Sequence, residues 1–147
     1  MTAELTRQLR GDEDVRPCVY KDHLGWDTIA CGRLVDSRKP GCGLRPSEID
    51  FMLANDIADR TEALNRLLPW FAVLDPARAG ALLNMSFQLG VAGLLGFKNS
   101  LEMMRLGQFD AAADNFLRSK WAVQTPARAK RMAEQIRSGV WQYAPGA

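Results

Sequence analysis

The 147-residue chain has a single histidine, His23, and its three cysteines (Cys18, Cys31 and Cys42) form no CxxC or Cys/His spacing. A zinc site of the familiar kind is thereby excluded, and no metal or other cofactor is expected. An odd number of thiols fits a reducing compartment, while the pairing of any two stays open. Long apolar runs are missing as well. The longest uncharged apolar stretches, such as residues 67–74, fall well short of the ~20 residues that a membrane span needs. Residues 1–10 carry Glu4, Arg7 and Arg10 among single leucines, unlike the continuous apolar core of a secretory signal. The expectation is synthesis and folding in the cytoplasm. What is present is ordinary for one globular domain: 47% hydrophobic and 24% charged residues.

Net charge is only +2, but it is unevenly spread. Between Arg118 and Arg137 lie six basic residues (Arg118, Lys120, Arg128, Lys130, Arg131, Arg137) and one acid, Glu134. Such a segment attracts a polyanion, or it is simply a solvated helix face. No interleaving of aromatic and basic residues supports a nucleic-acid partner.

Hydrophobic spacing predicts a short first helix, with Leu5 and Leu9 one turn apart and Gly11 as its stop. Residues 16–35 change to a hairpin pattern: Val19 and Tyr20, a turn over residues 21–25, then a run rich in β-branched and aromatic residues from Trp26. Residues 36–43, with Pro40, Gly41 and Gly43, read as a loop. Pro46 opens a long helix whose Ile49, Leu53, Ile57, Leu64 and Leu68 form one stripe, ended by Pro69. Asp75-Pro76 starts a helix that stops at Gly90. Asn99 or Ser100 caps another through Met104, residues 110–118 form the next, and Thr125-Pro126 begins a last one ending at Ser138-Gly139. The result is a single domain with a small β-rich part among helices.

Glu13 follows the first helix, Asp22 sits in the hairpin turn, and Thr28 lies on the returning strand. Glycoside hydrolysis needs a protonated acid beside the leaving oxygen and a second group to manage water or positive charge. A carboxyl partly screened from water keeps its proton, whereas one on an exposed turn stays ionised. Thr28 shares a sheet face with Trp26 and could hold water against Asp22. As bare spacing, any acidic hairpin could supply this pattern.

The flanking residues are more specific. Leu9-Arg10-Gly11-Asp12-Glu13, Val19-Tyr20-Lys21-Asp22, Gly25, Thr28-Ile29 and Gly32 resemble the catalytic segment of the tailed-phage lysozymes, the endolysins of glycoside hydrolase family 24. The resemblance includes the eight-residue and five-residue gaps between Glu13, Asp22 and Thr28. Asn84-Met85-Ser86-Phe87-Gln88-Leu89-Gly90 and Gly96-Phe97-Lys98-Asn99-Ser100-Leu101 are similar to that family's cleft walls. Residues 121–131 resemble the start of its C-terminal helix.

The resemblance implies an α+β lysozyme-like fold, with a small hairpin lobe and a larger helical lobe joined by a long helix, and a cleft between. The lobes would span about residues 13–45 and 70–147, the latter including the N-terminal helix, with the connector over 46–68. It further implies a muramidase that hydrolyses the bond between N-acetylmuramic acid and N-acetylglucosamine with inversion. Glu13 would be the acid, Asp22 and Thr28 would orient water, and the carboxyls would lie roughly 6.5–9.5 Å apart. Leu34, Phe87, Ser100 and Asn115 match residues lining the saccharide groove. Leu34 and Phe87 could equally be core, and Ser100 a helix cap. Asparagine is disfavoured inside a helix, which suits Asn115 to a hydrogen-bonding task.

The implied partners are peptidoglycan glycan strands, with anionic wall or membrane contact through the basic C-terminal helix and no nucleic acid, for a monomer. The implied location is the host cytoplasm until release to the periplasm or wall, through holes made by a separate holin. The chain departs from the family at Ala30-Cys31-Gly32-Arg33, where many members read Gly-x-Gly-His. An Arg33–Asp56 ion pair is expected to replace the pairing of that histidine with a helix aspartate. His23 is expected to be an exposed turn residue, and Trp121 and Trp141 to pack among the helices.

Overall fold

A computed structural model describes residues 3–12 and 15–146. It has two compact units, one ending at Leu53 and the other beginning at Ala54.

The first unit opens with α1 (Ala3–Asp12), which has no buried residue. Contacts assign α1 to this unit, whereas the sequence reading groups it with the helical lobe. Three antiparallel strands follow in the order β1 (Arg16–Lys21), β2 (Asp27–Ala30) and β3 (Arg33–Leu34). Pro17 lacks an amide proton, so it is tolerated in β1, an edge strand whose register with β2 shifts between Arg16 and Tyr20. β3 is an addition to the expected hairpin. Its two residues pair as Leu34 with Thr28 and Arg33 with Ile29. The β2–β3 turn uses Ala30 at φ 56° and Gly32 at φ 73°. A left-handed alanine costs about 1 kcal/mol that glycine would not incur.

The long helix α2 (Pro46–Leu67) begins with proline at its first position, as expected. Glu48 reaches back from the third position to accept the Arg45 amide at 2.7 Å, satisfying a donor that the helix leaves unpaired. Of the predicted stripe, only Leu64 is buried within α2, while Ile49, Leu53 and Ile57 are exposed.

The second unit is helical. After a 3-10 turn (Pro69–Val73) come α3 (Pro76–Leu95), α4 (Lys98–Arg105), α5 (Phe109–Leu117), α6 (Lys120–Gln124) and α7 (Pro126–Ser138). The helix opened at Pro76 stops at Gly90 as expected: that glycine, at φ 71° and ψ 162°, is non-helical, and a second helical segment follows it to Leu95 within α3. Asp75 caps α3 by accepting the Arg78 amide at 3.1 Å. Thr125 starts α7 without such a cap, because its hydroxyl donates to the Trp121 carbonyl instead. Ser100 is no cap either. It lies within α4, fully buried.

The core joins Leu64, Leu82, Met85, Met104, Phe116 and Ile136 with Trp121, and the Phe97 ring packs 5.4 Å from that of Phe116. Burying a side chain such as Phe116 contributes about 2–3 kcal/mol. Trp121 is thus core, held also by donation to Gln88 at 2.9 Å. Trp141 is half exposed, its ring lying where a Cβ on Gly80 would point.

Candidate active site

The hairpin turn is built around one carboxylate. Asp22 Oδ1 accepts the amides of Leu24 and Trp26, each at 2.9 Å, while the Asp22 amide donates to the Trp26 carbonyl at 3.0 Å. Gly25, at φ 82°, closes the turn in a conformation that suits glycine. The Trp26 and Leu24 amides hold the Asp22 carboxyl below its usual pKa against an opposing desolvation effect, so it is ionised at neutral pH.

Thr28, buried on β2, donates its hydroxyl proton to the same Trp26 carbonyl at 3.1 Å. Its oxygen is therefore oriented as an acceptor. Asp22 and Thr28 line one cavity of about 440 Å³ together with Arg16, Tyr20, Lys21, His23 and Gly32. Leu34 joins this neighbourhood through its register with Thr28 and is half-buried. His23 is exposed beside Asp22. Glu13 lies outside the described residues, and so does the expected separation of the two carboxyls.

In the second unit, Ser100 and Asn115 meet. Asn115 Nδ2 donates to Ser100 Oγ at 2.8 Å, and both line a cavity of about 450 Å³ whose rim includes Lys98 and Arg118. This bond uses the buried Ser100 oxygen and gives the helical asparagine its partner. Phe87 is half-buried, with the Arg60 guanidinium 4.1 Å above its ring, a cation–π contact that the sequence reading missed.

The expected Arg33–Asp56 pair is replaced. Arg33 bonds Glu48 at 2.7 Å, and Asp56 stands 3.8 Å from Arg60. Asp56 is two helical turns beyond Glu48, about 12 Å along the axis, and the first turn of α2 supplies the nearer acid. Glu48 also takes Arg45 at 2.7 Å. Its pKa falls to about 2, chiefly through the Arg45 side-chain and backbone bonds, with Arg33 adding to them. A depressed carboxyl contributes stability above its unfolded pKa and loses that contribution as pH falls through about 2. Thermal melts of Glu48→Gln and wild type are therefore expected to differ by a constant amount from pH 5 to 8. The difference should shrink from near pH 4.5 down to 2. A gap that changed steeply between pH 5 and 8 would contradict this assignment.

The basic segment is smaller than its composition suggests. Arg137 contacts Asp110, Asp114 and Glu134, and Arg128 bonds the side chain and carbonyl of Asn84. Lys120 and Lys130 remain exposed, as does Arg118. Among the described residues no cluster of side chains could hold a metal ion.

A three-stranded antiparallel sheet in one unit and a helical second unit make an α+β, lysozyme-like fold. The chain belongs to the phage lysozyme family, whose model matches residues 10–136. It is 27% identical over 165 aligned positions to "Probable T4-type lysozyme 1" of Dictyostelium discoideum, covering 95% of this chain and 96% of the relative. "Probable T4-type lysozyme 2" of the same organism matches at 27% over 164 positions, with the same coverage. The pre-baseplate central spike protein Gp5 of Enterobacteria phage T4 is 28% identical over 92% of this chain, which spans 28% of that longer protein. Family membership makes the chain a lysozyme-type hydrolase of the cell wall, with peptidoglycan as the implied substrate. Among the described residues, no single helix is long and apolar enough to cross a membrane.

Proposed function

We propose that the protein is a muramidase that cleaves between N-acetylmuramic acid and N-acetylglucosamine, inverts the anomeric centre, and lyses the host after release from the cytoplasm. The observation that carries this reading is the anchoring of Asp22 and Thr28 on the backbone of Trp26, facing one cavity. The Thr28 hydroxyl donates its hydrogen bond to a carbonyl, which leaves its oxygen free to accept, and Asp22 is ionised. A water between them donates one hydrogen to each and turns a lone pair toward the sugar.

Glu13 gives its proton to the glycosidic oxygen as that bond breaks. The water oxygen bonds to the anomeric carbon and passes a proton to Asp22. A low-pKa carboxylate suffices, because the attacking water becomes strongly acidic as its new bond forms. The Asp22 charge also stabilises the oxocarbenium-like sugar. Leu34, Phe87, Ser100 and Asn115 contact the glycan strand in this reading.

The test is the product released from purified peptidoglycan, identified by mass spectrometry. A reducing sugar end is expected. An anhydro sugar would mark a lytic transglycosylase, and binding without release would mark a wall-binding module. The exposed cations Lys120, Lys130 and Arg118 add affinity for the anionic wall or membrane in the same proposal, an affinity that weakens as salt rises.

A further inference from the structure

The peptide plane joining Trp26 to Asp27 has a buried anchor on its far side. Its carbonyl accepts the Asp22 amide at 3.0 Å and the Thr28 hydroxyl at 3.1 Å. The N–H of the same plane, on Asp27, donates to Asp36 Oδ2 at 3.2 Å. Asp36 is 2% exposed. The remaining bonds of its carboxylate go to Arg38: the backbone amide at 3.0 Å and Nε at 2.8 Å to Oδ1, and Nη2 at 2.6 Å to Oδ2. The Arg38 guanidinium in turn lies 5.0 Å from the centre of the Trp26 ring, and Lys39 Nζ lies 3.9 Å from it. The Val35 amide closes the ring of contacts on the Asp27 carbonyl at 2.8 Å.

We propose that Asp36 and Arg38 are positioning residues for the Asp22–Thr28 pair, acting through the Trp26–Asp27 peptide plane and the Trp26 ring. The inference rests on the reading of that pair as the water-holding groups. A peptide plane is rigid, so an acceptor fixing its N–H also fixes the direction of its carbonyl. Rotation of the plane would redirect the Thr28 hydroxyl and loosen the Asp22 turn together. Asp36 can fix it because its carboxylate is locked by a two-pronged arginine. Arg38 can lock Asp36 because its guanidinium also rests on the indole of the residue being positioned. The residues come from a loop that composition reads only as a connection, and neither contacts substrate in this account.

Misplacement of a reacting group by about 1 Å costs on the order of 10²-fold in rate. Asp36→Asn, which puts an amide where an acceptor is needed, is therefore expected to lower kcat about 10- to 100-fold, with KM within about twofold. Arg38→Ala should show the same split with a smaller loss. Its side chain is 64% exposed, so it also carries the test if Asp36→Asn fails to fold. Hydrogen exchange of the Trp26 and Asp27 amides, followed by NMR, should accelerate in each folded variant, a local change that general destabilisation would not confine to this turn. Folded variants with wild-type kcat and unchanged exchange overturn the proposal when Asp22→Asn is inactive in the same assay. An Asp22→Asn enzyme at full rate removes the underlying reading, and the positioning role with it.

Discussion

Glu13→Gln is expected to abolish wall lysis while leaving the melting temperature unchanged. Glutamine keeps the size and polarity of the side chain but has no dissociable proton for the glycosidic oxygen. General acid catalysis contributes about 10²- to 10⁴-fold, and an unprotonated alkoxide is too poor a leaving group for water to displace at a useful rate. Turbidity loss of a peptidoglycan suspension should thus fall by about that factor at equal enzyme concentration. Asp22 and Thr28 stay in place in this variant, so binding to the wall should persist. A lytic rate within about twofold of wild type would remove Glu13 from the mechanism.

Arg78→Ala should markedly destabilise the helical unit. Arg78 sits in the first turn of α3, yet its guanidinium donates to the carbonyls of Ile136 at 2.7 Å and Arg137 at 3.0 Å, near the end of α7. Terminal carbonyls lack partners within their own helix and carry the negative end of its dipole, so a forked cation meets both needs. The same side chain pairs with Asp75 at 2.9 Å and lies 3.8 Å over the Phe109 ring. Hydrogen bonds to a charged group contribute about 1.5–3 kcal/mol each and do not sum freely, so a loss of about 3 kcal/mol is expected. For a chain of this length that lowers Tm by about 10 °C. Arg78→Lys, a point charge without the fork, should recover part of it. A melt of Arg78→Ala within about 2 °C of wild type would show that the α3–α7 clasp contributes little.

These two residues mark how far the sequence could be read. Proline punctuation located α2 and the starts of α3 and α7, because a missing amide is tolerated at a first helical position and disruptive elsewhere. The turn at Asp22 was legible from Gly25 and the alternating residues around it. β3 was not, being two residues long, nor was the five-residue α6. Gly90 is legible as a stop, since its positive φ breaks the helix, whereas Gly93 and Gly96 hide the short helical segment that follows to Leu95. Arg78 reaches partners 58 and 59 positions away, and Ser100 meets Asn115 across 15, separations that no local pattern encodes. Arg33 illustrates a nearer failure. The resemblance points to Asp56 as its acidic partner, while the helix rise places Glu48 closer.

The most direct measurement is proton NMR of the sugar anomer first formed when a soluble peptidoglycan fragment is hydrolysed. In the proposed mechanism a water oriented by the Asp22 carboxylate and the Thr28 oxygen attacks opposite the departing sugar, so the new reducing end should appear with inverted configuration before mutarotation. A product that first appears with retained configuration would contradict direct attack by that water and require a covalent or internal intermediate instead.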